Sequence, residues 1–155
     1  MALRPISLIA GMPVIVATAF AAFLTLCPSI TAQARDLSVI SGTVIDVNGK
    51  RIRLWGIRAP GADTVCRLGT AAETCAAMSR WVLERLVGDG ELRCLVMINQ
   101  PGGPVGAQCS VQGADLGHLM VLGGWATDDG AESGGFYALQ EEVAREQRVG
   151  MWKGD

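Results

Sequence analysis

One histidine and no Cys-x-x-Cys pair occur in this chain of 155 residues. His118 alone cannot supply the ligand set of a structural zinc site, which excludes that class. A single histidine also reads as structural before it reads as catalytic. A surplus of positive charge is missing too. Thirteen Lys and Arg face fifteen Asp and Glu, so the chain is no general polyanion binder. No repeat, low-complexity run or linker follows residue 36, which leaves a single domain as the expected organisation.

The first 34 residues read as a targeting segment. Arg4 gives a positive start, Ile6 to Leu26 carries no charge, and Ala32-Gln33-Ala34 has the small-x-small form of a signal-peptidase site. Cleavage is expected after Ala34. The apolar run nearly reaches the roughly 20 residues of a membrane span, so an uncleaved anchor is the alternative. Gly11, Pro13 and Thr18 interrupt it and favour cleavage. Lipoprotein processing at Cys27 fits poorly, because Leu26 is bulky where a small residue is usual. Removal of the leader takes Arg4 with it and leaves 12 Lys and Arg against 15 Asp and Glu, a net charge of −3 on residues 35–155. That length suits one domain with one core. The expected location is periplasmic or secreted, with no membrane attachment once the leader is gone.

Four cysteines remain: Cys66, Cys75, Cys94 and Cys109. An even count in an exported domain reads as disulfides, with three possible connectivities. Alternation predicts a strand over Leu37 to Ile45, and Asn48-Gly49 a two-residue hairpin turn into a return strand, Arg51 to Ile57. Ala59 to Gly69 reads as a loop and Ala71 to Val87 as a helix stopped by Gly88. A strand over Glu91 to Ile98 turns at Pro101-Gly102-Gly103-Pro104 and returns as Val105 to Val111. Asp115 is placed to cap a short helix reaching Leu122, and Phe136 to Arg148 reads as a last, charged helix stopped by Gly150. The point midway between Cys94 and Cys109 falls between Pro101 and Gly102, inside the turn. The spacing therefore predicts a cross-strand Cys94–Cys109 bridge, with Cys66–Cys75 closing the loop before the first long helix.

Three blocks carry a family resemblance, in order. Val39-Ile40-Ser41-Gly42-Thr43 with Arg51-Ile52-Arg53-Leu54-Trp55-Gly56-Ile57-Arg58-Ala59-Pro60-Gly61 resembles VIDGDT…IRLWGIDAPE. Asp115-Leu116, Met120-Val121 and Gly124-Trp125-Ala126 resemble DL…MV..GWA. Tyr137, Glu141, Ala144-Arg145 and Gly150-Met151-Trp152 resemble Y…E..AR…GLW. Together they are similar to the thermonuclease, or staphylococcal-nuclease-like, family. The resemblance implies an α+β domain, an OB-fold barrel of five strands with about three packed helices, and an ancestry in calcium-dependent hydrolysis of nucleic-acid phosphodiesters.

The family's site residues are mostly replaced. Ser41 and Thr43 stand at the two aspartates of DGD, Arg58 at the aspartate of GIDAPE, Gly61 at the glutamate and Pro104 at the arginine of a later loop. Only Arg53 keeps the family type. Hard cations need oxygen ligands, so the resemblance implies that the calcium site is lost and that no cofactor is held. Asp46 and Asp63 are the nearest candidate substitutes, although alternation turns Asp46 to the opposite face from Thr43.

Two readings follow. In the first, a non-catalytic binding module keeps Arg53 and Arg58 as an anion-binding pair for an anionic ligand or protein partner, with Arg53 alternatively held in a structural ion pair. In the second, an atypical phosphodiesterase acts on nucleic acid through Asp46, Asp63 and Arg53. A scaffold retained without any ligand is a third. Lys50, Arg51 and Arg67 complete a basic cluster with Arg53 and Arg58, of which Lys50 and Arg51 read as solvated residues flanking the hairpin turn. Trp55, Trp125 and Trp152 read as packing residues, and Glu141 and Glu142 with Arg145 and Arg148 as surface ion pairs.

Overall fold

A computed structural model describes residues 36–68, 71–99 and 101–154, without the side chains of residues 67, 68, 71 and 72. The expected leader lies outside the described residues. The chain begins with a meander: β1 (Leu37–Ser41), β2 (Val44–Val47) and β3 (Lys50–Leu54). The run expected to be one strand over Leu37 to Ile45 is thus two strands, with Ser41 opposite Val44 across a reversal at Gly42-Thr43. Alternation alone cannot reveal a two-residue reversal that continues the same apolar pattern on both sides. The next turn is the expected one. Asn48 and Gly49 both have positive φ, 53° and 78°, the geometry that matches strand twist in a two-residue hairpin.

A two-residue strand, β4 (Ile57–Arg58), precedes a hairpin of β5 (Val65–Leu68) and β6 (Ala71–Thr74). The expected loop over Ala59 to Gly69 therefore ends in a strand, and the expected helix starts four residues late, as α1 (Cys75–Val87). Thr74 decides the start: its hydroxyl accepts a hydrogen bond from the Ala77 amide at 3.2 Å and caps the helix. The long hairpin β7 (Leu92–Ile98) and β8 (Val105–Val111) follows. Next come β9 (Ala114–Asp115), α2 (Leu116–Leu122), β10 (Thr127–Asp128), α3 (Gly130–Ser133), α4 (Ala138–Glu146) and a closing 3-10 turn, Gly150–Gly154. Asp115 caps α2 by accepting from the His118 amide at 3.1 Å. The expected last helix is shorter than Phe136 to Arg148, and α3 was not anticipated.

The main sheet runs β1-β2-β3-β8-β7, with β9 added beside β8. Every pairing is antiparallel except β3 with β8, where Ile52, Arg53 and Leu54 lie opposite Val105, Gly106 and Ala107. Among the described residues β1 and β7 are its two ends, and the sheet does not close into a barrel. The architecture is α+β with four α-helices among the described residues, against about three expected.

Ile45, Leu54, Ile57, Leu83, Leu116, Met120 and Val121 are essentially solvent-free and form the core with Tyr137 and Cys109. Trp55 and Trp125 pack against it, and Trp152 lies under the Arg145 guanidinium, 3.9 Å from its ring centre. Tyr137 links two helical segments. Its hydroxyl donates to Asp115 at 3.1 Å, and Gln108 donates to the same carboxylate at 2.6 Å. Burial, then the Asp115 charge, raises the Tyr137 pKa above its ordinary value.

Two disulfides join Cys66 to Cys75 and Cys94 to Cys109, with Cα separations of 4.9 and 4.1 Å. Cys94 faces Cys109 directly across the hairpin. No helix among the described residues is long and apolar enough to cross a membrane. Both features are compatible with an exported protein.

Gly42 shows how tightly the first reversal is held against α1. Ser79 is fully buried and its hydroxyl donates to the Trp125 carbonyl at 2.6 Å. A Cβ on Gly42 would fall 1.8 Å from that hydroxyl oxygen. Gly42→Ala is expected to cost about 1–3 kcal/mol through overpacking, read as a lower urea midpoint. Gly130→Ala, whose nearest neighbour is Asp128 at 3.6 Å, should be neutral or stabilising by up to about 1 kcal/mol, because a helix gains from losing a glycine. Equal effects of the two substitutions would contradict this packing.

Candidate functional site

Arg53 points off β3 toward the segment that follows β10. Two pairings bring that segment over it. Thr127 and Asp128 pair with Arg58 and Ile57, and the Asp129 amide donates to the Gly56 carbonyl at 2.8 Å. The chain then makes one helical turn, α3, and delivers Glu132 to Arg53. The two guanidinium nitrogens donate to the two carboxylate oxygens at 2.6 and 2.5 Å. The Gly56 amide donates to the same carboxylate at 3.0 Å. This is the bidentate fork that arginine makes best. Its side chains are largely sheltered, 30% exposed at Arg53 and 13% at Glu132.

Gly56 makes the approach possible. Its φ is 74°, and a Cβ there would come within 3.0 Å of Ser133 and 3.3 Å of the Tyr137 ring. Only glycine combines that backbone conformation with that clearance. Below α3, Asp128 acts as a hub: Ser133 Oγ donates to it at 2.7 Å and the Tyr137 amide at 3.2 Å. The Asp128 amide in turn donates to Glu141 at 2.7 Å.

Arg58 forms a second pair beside the first. Its Nε and one Nη donate to the two Asp129 oxygens at 3.1 and 2.7 Å. Arg58 is well exposed and Asp129 much less so. The result is a compact set of two cations and two anions. The Arg53 hydrogen bonds, against an opposing effect of burial, hold the Glu132 carboxyl below its usual range. Arg58 does the same for Asp129. The matching carboxylates raise both arginines further.

The expected anion-binding pair, Arg53 and Arg58, is therefore brought together, but each arginine already holds a carboxylate of the same chain. The structural ion pair weighed as an alternative for Arg53 is the arrangement found. Asp129 and Glu132 escaped the sequence reading. The signal for them is a D-x-x-E pattern ahead of a turn of helix, in a stretch assigned no element. Asp129 is the N-cap residue of α3 but makes no capping hydrogen bond within normal geometry; its oxygens accept from Arg58.

Among the described residues, the other replaced positions of the resemblance make no side-chain hydrogen bond to Arg53 or Arg58. Ser41 Oγ accepts a long 3.4 Å bond from the Thr43 amide, and buried Thr43 gives its carbonyl to the Leu54 amide at 2.8 Å. Gly61 sits in an exposed loop, its carbonyl accepting from the Thr64 amide at 3.1 Å. Pro104 borders a shallow cleft of about 520 Å³ with Ile40, Val44, Lys50 and Arg51.

The proposed substitutes do not join Arg53 either. Asp46 accepts from the Gly49 amide at 2.8 Å within the hairpin turn, and Asp63 is exposed in the loop. Among the described residues no three His, Cys, Asp or Glu side chains are grouped to hold a metal ion. Glu141 pairs with Arg145 at 2.6 Å, as expected on a helix face.

No protein-family model matches the chain. It is similar to the succinoglycan biosynthesis protein ExoI of Rhizobium meliloti (strain 1021), 27% identical over 119 residues that make up 75% of this chain and 62% of that protein. The chain thus spans less than two thirds of the length of the curated relative it matches.

The Arg53–Glu132 pair should be visible in acid unfolding. A carboxyl whose folded pKa is depressed contributes stability that is complete above its unfolded pKa, about 4.3 for glutamate. That contribution disappears as the pH falls through the lower folded value. Stability is expected to be flat above about pH 5 and to fall below it, and Glu132→Gln should flatten that fall. At pH 7 the same variant should lose about 1–3 kcal/mol, the range for hydrogen bonds to charged groups. Urea titrations at pH 7, 5, 4 and 3 read both effects, and an unchanged acid slope in the variant would contradict the pairing.

Proposed function

We propose that this protein is a non-catalytic binding module on a thermonuclease-like scaffold, whose anion site is occupied at rest by its own Glu132. One observation carries the reading: Arg53, the family-type arginine, is engaged at both nitrogens by an internal carboxylate. A phosphodiester would have to displace that carboxylate before Arg53 could stabilise charge on phosphorus, the task such an arginine performs in phosphoryl chemistry.

The OB-fold part of this reading draws support from strand order. A five-strand path with a single parallel pair, β3 with β8, fits a partly open Greek-key barrel. Loss of calcium chemistry draws support from the residues themselves. Thr43, Ser41 and Gly61 bring no charge, and Arg58 brings a cation. The exported location, periplasmic or secreted, rests on the leader and the two disulfides. ExoI is named for a process, succinoglycan biosynthesis, rather than for a reaction, so no catalytic step is carried over from it. The ligand class remains anionic, a small anion or an acidic partner able to compete with Glu132.

Two measurements test the proposal together. Single-stranded DNA and RNA incubated with the protein in millimolar calcium should remain intact, as in EDTA, and calcium should leave the Tm where sodium at equal ionic strength leaves it. Glu132→Ala should behave differently toward anions: inorganic phosphate should raise its Tm, and do so less in the parent. Binding to the folded state alone raises stability by RT ln(1 + [L]/Kd). Calcium-dependent cleavage that disappears in Arg53→Ala would overturn the reading in favour of the atypical phosphodiesterase.

A further inference from the structure

The segment that carries Glu132 is anchored at both ends and held between them by almost nothing apolar. At one end Asp128 pairs with Ile57 across the β4–β10 ladder, and its amide donates to Glu141. At the other, Tyr137 sits in the core, 1% exposed. Residues 129–135 between them include no buried residue, and the one apolar side chain among them, Ala131, is exposed. Three of the seven are glycines: Gly130, Gly134 and Gly135. Gly134 and Gly135 are consecutive with φ of 65° and 88°, and a Cβ on Gly134 would meet nothing within 4 Å. Such a pair can turn about its backbone with little steric restraint, as hinge positions do.

Charge is what holds this segment down. Glu132 accepts from Arg53 on β3, and Asp129 accepts from Arg58 on β4. Gly56 adds two backbone contacts, its amide to Glu132 and its carbonyl to the Asp129 amide. We infer that residues 129–135 form a lid latched by these two carboxylates, and that a ligand carrying two negative charges opens it by taking both arginines together. The inference rests on the anion site proposed above and adds how that site is uncovered.

A count of charges decides between opening and mere crowding. With the lid closed, two guanidiniums and two carboxylates sum to zero. A dianion set against both arginines with the carboxylates still in place would bring the sum to −2. Each carboxylate would then face the ligand at ion-pair range, where like charges repel. Glu132 is only 13% exposed, so salt and water screen that repulsion little. A single charge can displace one carboxylate and leave the other latch shut. Two charges on one ligand release both at once, and the glycines then let the segment swing away. Opening is therefore the response to two-headed anions and not to acetate or chloride. The movement is local, because the amides of Leu54 and Trp55 bond to the Thr43 and Ala107 carbonyls outside the lid.

Amide hydrogen exchange on the purified, oxidised protein tests this, because a ligand ordinarily slows exchange where it binds and this one is expected to speed it. The Glu132 and Ser133 amides bond to the Asp129 carbonyl, and the Gly134 amide to the Gly130 carbonyl. With inorganic pyrophosphate in EDTA at pH 7, exchange over residues 130–136 should rise at least about fivefold while Leu54 and Trp55 stay protected. Acetate at equal ionic strength should change neither. Without ligand, Glu132→Ala and Asp129→Ala should each speed exchange in the same segment, and the double variant should do so most and respond little to pyrophosphate. Continued protection of Leu54 and Trp55 shows that the variants remain folded. Calorimetry records binding alongside. No pyrophosphate binding to the parent or to Glu132→Ala would overturn the anion site and this inference with it. Binding with exchange over residues 130–136 slowed or unchanged, or latch variants that exchange like the parent, would overturn the lid and leave the anion site standing.

Discussion

The bond between Arg53 and Glu132 is the constraint around which one side of this domain is arranged. A guanidinium that is 30% exposed on a sheet face has lost much of its hydration, and such a charge is tolerated only when paired and hydrogen-bonded. Glu132 supplies the pairing, and its position requires several other features at once. Gly56 must be glycine to let α3 pass, and its amide adds a third hydrogen bond to the Glu132 carboxylate. β4 must pair with β10 to bring the chain back, and Asp128 must gather Ser133 and Tyr137 to shape the turn that carries Glu132. Tyr137, Leu54 and Ile57 belong to the core that underlies these segments. Loss of Glu132 would leave a sheltered cation with only Asp129 nearby, so the segment from Asp128 to Tyr137 is held by charge as well as by packing.

Much of the fold was legible because its signals are local. Asn48-Gly49 demands positive φ, Asp115 caps a helix three residues ahead, and the Pro101 to Pro104 turn sets Cys94 opposite Cys109. The errors fall where the deciding contact is distant. Ser41 to Val44 reverses because Gly42 is pressed against Ser79 on a helix over thirty residues away, which no window of the sequence reveals. The β5–β6 hairpin carries weak alternation and is tied by Cys66–Cys75, so it resembles a loop followed by helix. At the site, the replaced family positions could be read from the resemblance blocks, and Arg53 could be singled out. Its partner could not. Glu132 lies 79 positions from Arg53, in a stretch whose composition resembles a polar loop.

The two disulfides stand at opposite ends of the same problem. Cys66–Cys75 closes the hairpin in which the loop after Pro60 ends, and so ties that loop to the start of α1. Cys94–Cys109 joins the exposed outer strand to its buried neighbour. β7 has little packing of its own between its ends, since Arg93 to Met97 are all exposed. A covalent tie to buried Cys109 therefore holds in register a strand that burial alone would hold weakly. This explains how a strand can be both apolar and exposed without peeling away.

The site has the reverse polarity of a hard-cation site. Such a site gathers fixed carboxylates and completes them with a metal. Here fixed cations, Arg53 and Arg58, are completed by carboxylates from the same chain, and the local charge sums to zero. A neutral cluster exerts little long-range pull on calcium or on a polyanion, in keeping with the net charge of −3 on residues 35–155. Competition is also uneven. Glu132 is tethered a few residues from a paired strand, so its effective concentration at Arg53 is at least in the millimolar range of short tethers, and its geometry is already correct. A free monovalent anion at micromolar concentration cannot match that. An anion able to engage Arg53 and Arg58 together could, because it would replace two internal pairs with one ligand while freeing α3 to move. On the proposed reading, this arrangement would favour extended or doubly charged acidic partners over simple anions, through displacement rather than through an empty pocket.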